Sequence, residues 1–349
     1  MVSNKVLENS STIQDIYTTW NPIFKNINIK ARGSESKCSS PGTACFFSGG
    51  VDGTYTLLEH ADEVDYAILI NGFDFNMDDS TWRSLINRNL TLTKELGIEL
   101  IAVETNFKYF TSAFGIARKC NFGGVLISAG QLLGFRKLFI AAAVTYKKIP
   151  PDGSHVLIDE SWSTEGTQVI HSGLEADRTK KIKRISSHKV ALDNLWVCWK
   201  DPRYNCGDCV KCIRTYIALR LAGVDNFNFE NPLTLADCGR FSIDNEFEYI
   251  IYEAYLDSAQ TNKEGDKELE RFLMSAVMKY QFRIFMKSVI NRFAPSLLNW
   301  RQSKRPDTDK LVDISIHPRY SDTVVLRDVK KRFESGKQFK EQENIGTVY

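Results

Sequence analysis

Apolar and polar residues change rhythm at about Thr43. Before it, residues 1–42 begin with helical spacing, pass through alternation at Ile27 and Ile29, and end in a Ser/Gly-rich stretch closed by Pro41-Gly42. This predicts a small edge element and a turn, because Gly and Pro punctuate regular structure. From Thr43 onward, short apolar runs alternate with longer amphipathic segments. The runs predict strands at Ala44 to Phe47, Tyr66 to Ile70, Glu99 to Val103 and Lys137 to Ala142. The segments between them predict helices at Gly53 to Glu59, Asp78 to Leu96 and Gly123 to Leu133. Strands and helices in this order are βαβ units, so the expectation is an α/β protein around a mostly parallel sheet. After Pro150-Pro151 comes an irregular stretch, then a strand at Gln168 to His171, a basic helix over Glu175 to Ile185, and a helix over Val210 to Leu221.

Charge divides the rest. Residues 231–270 are acidic and residues 271–349 are basic, which places a boundary near Asn231. Three parts result: an N-terminal edge element (1–42), a main α/β domain (43–230) and a mainly helical C-terminal accessory region (231–349). In a chain of 349 residues, 43% hydrophobic and 25% charged residues supply a sizeable core, and a net charge of +2 excludes a whole-molecule field for nucleic acid or membrane. Met1 to Asn9 has no apolar signal core, and no uninterrupted apolar run is long enough to span a bilayer. A cytoplasmic protein with no membrane association is expected, and a homo-oligomer. Eight cysteines in such a chain are then thiols, not a disulfide framework. Cys38, Cys45, Cys120 and Cys238 are scattered and read as small buried hydrophobes.

The most informative segment is Ala44-Cys45-Phe46-Phe47-Ser48-Gly49-Gly50-Val51-Asp52-Gly53-Thr54, an apolar strand running through Ser-Gly-Gly into a helix. Two glycines there let successive N–H groups turn into one concavity, and the free N–H groups of the helix start add positive character. That makes an anion cradle, although Gly-Gly after a strand also serves as a plain tight turn. The whole string resembles the Ser-Gly-Gly-x-Asp-Ser motif of the PP-loop ATP pyrophosphatase superfamily, whose fold is a doubly wound, Rossmann-like parallel sheet of the HUP type. The resemblance implies that Ser48, Gly49, Gly50 and Asp52 surround a pyrophosphate and its Mg²⁺, with Ser48 and Asp52 catalytic. It extends the ATP-binding segment through Val51, Gly53 and Thr54, and puts Ile70, Asn71 and Gly72 beside the adenine. One position departs: the motif's second Ser is Gly53, which removes a phosphate-binding hydroxyl that Thr54 could partly replace.

A second signal is Cys198-x₇-Cys206-x₂-Cys209-x₂-Cys212, with Gly207 in the turn. Four thiolates at this spacing can close a tetrahedron around Zn²⁺, a zinc knuckle over 198–212 with no open position for water and hence a structural role. An iron–sulfur cluster is the alternative, but the x₃-Cys-Pro continuation of ferredoxins is missing after Cys212. Coming after a PP-loop, the cluster resembles that of 7-cyano-7-deazaguanine synthase, over roughly residues 43–222. A nearer likeness, in Trp162-Ser163-Thr164-Glu165-Gly166 and the Asn205 to Thr215 string, is to longer synthase-like proteins to which no reaction attaches.

Between the two motifs, residues 151–165 concentrate His, Asp, Trp, Ser and Thr just past a strand, where open α/β sheets bind ligands. His155, Asp159, Trp162, Ser163 and Thr164 are therefore candidate substrate contacts, with Asn106 a further one at the end of the third strand. A surface loop with Ser163 or Thr164 as a helix cap is the plainer alternative. In the basic helix, Lys180 is the candidate cation for the departing pyrophosphate, among Arg178, Thr179, Lys181 and Lys183. By resemblance, the expected reaction is adenylation of a small-molecule carboxylate, deazaguanine-type acids among the candidates, then displacement of AMP by an amine or ammonia to form an amide. A tRNA- or RNA-modifying enzyme, or a non-catalytic nucleotide-binding protein, are the alternatives. The basic C-terminal region could then hold an RNA or protein partner. Its aromatics, in Tyr280 to Phe285 and Lys331-Arg332-Phe333, suit RNA stacking or, the favoured reading, the core side of an amphipathic helix.

Overall fold

Among the described residues, two short strands, β1 (Val2–Ser3) and β2 (Gly33–Ser34), pair in parallel, and five longer ones form the main sheet. These are β3 (Ser40–Phe46), β4 (Tyr66–Asn71), β5 (Glu99–Glu104), β6 (Phe135–Ala141) and β7 (Gln168–Ser172), in the order β5-β4-β3-β6-β7 and all parallel. The computed structural model describes residues 2–293 except 22–23, 38–39, 74–76, 109–120, 199–203, 226, 228 and 263–264. Cys38, Cys120 and the basic stretch from 294, including Lys331-Arg332-Phe333, lie outside the described residues.

Side chains alternate across the sheet, and both faces are covered. Cys45, Ala67 and Phe139 face a core shared with α2 (Val51–Glu59), α3 (Asp79–Glu95), α6 (Arg178–Ser186) and α8 (Val210–Ala222). Ala44, Phe46, Ile68, Leu138, Ile140 and Val169 face the opposite way, toward Ile127 of α4 (Phe122–Leu132). Strands buried on both sides need nearly continuous apolar runs, which is why these segments were legible. The remaining helices are α1 (Asn4–Trp20), α5 (Val156–Asp159) with a 3₁₀ turn at Glu160–Trp162, α7 (Lys189–Asp193), α9 (Leu235–Cys238), α10 (Glu246–Thr261) and α11 (Lys267–Phe293).

Caps set the helix starts. Asp177 accepts from Lys180 N, so the basic helix begins at Arg178 and not at Glu175. Gly50 is the N-cap of α2, which puts Gly53 inside the helix's first turn.

The boundary placed near Asn231 does not separate two cores. Ile251, Tyr252, Tyr255, Leu269, Leu273 and Val277 share one apolar cluster with Ile213 and Ile217 of α8. Tyr255 donates its hydroxyl to Arg214 O, and Arg214 pairs with Glu248 at 2.8 Å. The charge shift at 231 therefore marks a change of surface, while the core continues. The amphipathic-core expectation for Tyr280 to Phe285 also needs correction. Tyr280 stacks on Tyr249 at 4.9 Å, but Phe282 and Phe285 are 65% and 62% exposed. The packed stripe of α11 is Leu269, Leu273 and Val277, and these two rings lie off it. None of the described helices is long and apolar enough to cross a membrane.

Candidate functional site

The chain order reverses between β3 and β6, and at such a switch point the loops leaving the two strands part to form a crevice. The Ser48-Gly49-Gly50 turn leaves β3 here. Gly49 has φ +76°, the left-handed region, and a Cβ on it would stand 2.5 Å from Asn89 Oδ1, so the position demands glycine. Its carbonyl accepts from Trp196 N at 2.8 Å, and Gly50 O accepts from Thr54 N at 2.9 Å to start α2. Ser48 is exposed, and the first-turn N–H groups of α2 have no intrahelical acceptor. Val51 and Thr54 are buried, so they offer backbone only; Thr54 Oγ1 has no partner among the described residues and no access to solvent.

Asp52, in that first turn, meets two cations from α6: Lys181 Nζ at 3.0 Å and Arg178 at 3.2 Å. Burial would raise the Asp52 carboxyl, but Lys181 and Arg178 outweigh it and hold the group below its ordinary range. Lys181 is itself 2% exposed and donates to Ala142 O at 2.5 Å, just beyond β6. One buried ammonium thus ties the first turn of α2 to the chain just beyond β6. Lys180, the candidate named from sequence, is on the exposed side of α6. Helical spacing carried the better signal: Arg178, Lys181, Ile182 and Ile185 fall at i, i+3, i+4 and i+7, and Lys181, Ile182 and Ile185 are buried.

Ile70, Asn71 and Gly72 end the neighbouring strand β4. Asn71 Oδ1 accepts from Met77 N at 3.0 Å, and Gly72 has φ +86° with its Cα packed against Thr105 O. Asn106 follows β5 and is exposed.

Residues 151–167 form a tight polar turn. Asp159 is fully buried, accepting from Ser154 Oγ at 2.7 Å and facing His171 Nδ1 at 2.8 Å, with its other oxygen against Gly123 at the start of α4. His155 caps α5 through Nδ1 and meets the Trp20 ring at 4.8 Å; burial, and then the nearby His171, push it below its ordinary value. Ser163 Oγ donates to Glu160 O and accepts from Val169 N, while Thr164 Oγ1 accepts from Thr167 N. Trp162 Nε1 is buried without a partner among the described residues. The hydroxyls of Ser163 and Thr164 thus close the turn, but not as the plainer reading had it: both residues are buried, Ser163 ends the 3₁₀ turn, and a strand follows, so neither caps a helix start on a surface loop.

The Cys198, Cys206, Cys209 and Cys212 sulfurs all lie within 4.8 Å of one another, with Cys209 3.5 Å from Cys212, Cys198 3.8 Å from Cys209, and Cys206 3.9 Å from Cys212. A tetrahedron with metal–sulfur bonds of about 2.3 Å has edges of about 3.8 Å, so the four could hold a metal ion. Gly207 (φ +77°) packs on Asn231 O, and Asp208 N and Cys212 N point at the sulfurs of Cys206 and Cys209. Burial foremost pushes the Cys206 thiol up to about 11, a cost that a bound cation would remove. Asn205, wholly buried, bridges Leu195 O and Val197 N at 2.9 Å each, which orients the segment whose Trp196 N–H holds Gly49. The segment that leads into Cys198 is thereby hydrogen-bonded to the glycine turn. Cys45 and Cys238 are buried apart from the cysteine cluster, each pushed up to about 12 by burial. No protein-family model matches the chain, and no curated protein matches it.

Proposed function

We propose that the protein is an ATP-dependent adenylating enzyme of the PP-loop pyrophosphatase type, on a doubly wound Rossmann-like (HUP) fold, with chemistry like that of 7-cyano-7-deazaguanine synthase. One observation carries this reading. The Ser48-Gly49-Gly50 loop leaves the central strand at the switch point, opens α2, and brings Asp52 against Lys181 and Arg178. Backbone N–H groups of the loop and α2 would hold the β and γ phosphates, and Ser48 would add a hydroxyl. A carboxylate oxygen of the substrate attacks the α phosphorus, and the P–O bond to the β phosphate breaks. Charge then develops on the departing pyrophosphate, where fixed cations act most strongly. Lys181 and Arg178 supply them, and Asp52 keeps both in place. Asp52 is also the carboxylate that would help hold Mg²⁺, which would supply charge neutralisation of the phosphates. An amine or ammonia next displaces AMP to leave an amide. The closed four-cysteine set suits structural Zn²⁺, with no ligand position for substrate.

The test is the product pair. Full-length protein incubated with ATP labelled at the α phosphate, Mg²⁺, ammonia and a panel of carboxylates, including deazaguanine acids, should release AMP and pyrophosphate. ADP with phosphate would refute the mechanism. Mass spectrometry of co-purifying small molecules would name the acid.

One observation favours a second reading, an RNA-modifying PP-loop enzyme. Phe282 and Phe285 are exposed on α11, as are Lys279 and Lys287, a set that suits base stacking with phosphate contacts. RNA affinity that falls steeply with salt would support it.

A further inference from the structure

The stripe of α3 that faces the core reads Trp82, Leu85, Asn89, Leu92 and Thr93. Asn89 interrupts it with an amide that is 1% exposed, and neither Nδ2 nor Oδ1 has a partner among the described residues. A buried amide without partners lowers stability, and Leu would fill the stripe better. The amide is not adrift in the core: its oxygen lies against the Cα of Gly49, the first glycine of the phosphate loop.

We propose that Asn89 is a positioning residue for that loop, and that its amide hydrogen-bonds the Ser48–Gly49 peptide when an anion of the polyphosphate class occupies the cradle. This rests on the reading of Ser48 to Thr54 as a phosphate cradle. The carbonyl of Gly49 is pinned by Trp196 N–H, so the loop can adjust chiefly at the peptide before it. In a trans peptide, N–H and C=O point in opposite directions. Turning Gly49 N–H toward an anion therefore sends the carbonyl of Ser48 toward the protein, where a buried carbonyl needs a donor. Asn89 is the side chain stationed against Gly49. A half-turn of its amide exchanges Oδ1 for the Nδ2 donor without moving α3. The unpaired amide is thus held ready for the occupied state and lowers stability in the empty one.

Two variants of the full chain separate this role from a structural one. Asn89→Leu should melt at a higher temperature than wild type, because the unpaired amide is gone. It should nevertheless bind magnesium pyrophosphate and the α,β-methylene analogue of ATP about tenfold more weakly by calorimetry. Asn89→Ala should lose the same affinity whatever its melting temperature. Wild-type affinity in either variant overturns the proposal, as does an Asn89→Leu protein that melts lower than wild type. Failure of both variants to fold would give Asn89 a structural role and overturn it too. Wild-type protein that binds neither probe refutes the cradle reading itself, and this inference with it.

Discussion

Lys180 and Lys181 are adjacent, yet the fold sends one to solvent and the other to Asp52. Lys181→Met should therefore reduce AMP formation by about 100-fold, the usual order for removing one preorganised donor from developing charge. Lys180→Met should leave it within about twofold, the change expected when a solvated surface charge is removed. Equal effects in a steady-state assay would mean the buried cation has no special role. Gly53 is the second informative residue. A Cβ there would lie 3.4 Å from Phe46 O, an ordinary contact, so the backbone leaves room for a Cβ. Gly53→Ser should raise affinity for ATP by up to about tenfold through a regained hydroxyl, measured by calorimetry. Unchanged or weaker binding would place that hydroxyl outside the cradle.

At the scale of elements, the cysteine cluster and the Ser48-Gly49-Gly50 turn are joined through Trp196 and Gly49. Cys209→Ser should release about one zinc per chain, read by elemental analysis, and weaken pyrophosphate binding along with it. Stoichiometric iron with visible charge-transfer absorption would falsify the zinc assignment. Chelated protein that stays folded and binds pyrophosphate normally would show that the two elements are not coupled. Most of the elements were readable from the chain. Short apolar runs marked β3 to β7, and the Ser-Gly-Gly turn marked the start of α2. Caps were harder to read: Asp177 competes for backbone N–H groups and moves the start of α6 three residues past the sequence-based boundary.

At the scale of the whole molecule, the acidic segment and α11 belong to the sheet domain's core. Truncation after Asn231 removes Tyr252, Tyr255, Leu269, Leu273 and Val277 from it, a loss of roughly 8–15 kcal/mol at about 1.5–3 kcal/mol each. That equals the entire stability of a typical domain, about 5–15 kcal/mol, so the fragment should aggregate. Light scattering and circular dichroism on a chain ended after Asn231 check this. A soluble fragment ending at Asn231 that binds ATP would restore the compositional boundary. The sequence by itself determined the parallel α/β architecture, the glycine turn and the cysteine group, because periodicity, glycine and ligand spacing are local properties of the chain. Only the tertiary structure decided that Lys181, not Lys180, meets Asp52, that Asn89 backs Gly49, and that α10 and α11 complete the core. Each of these depends on which faces of distant elements meet, and a cation or amide looks the same in sequence whether its helix turns it toward water or toward the site.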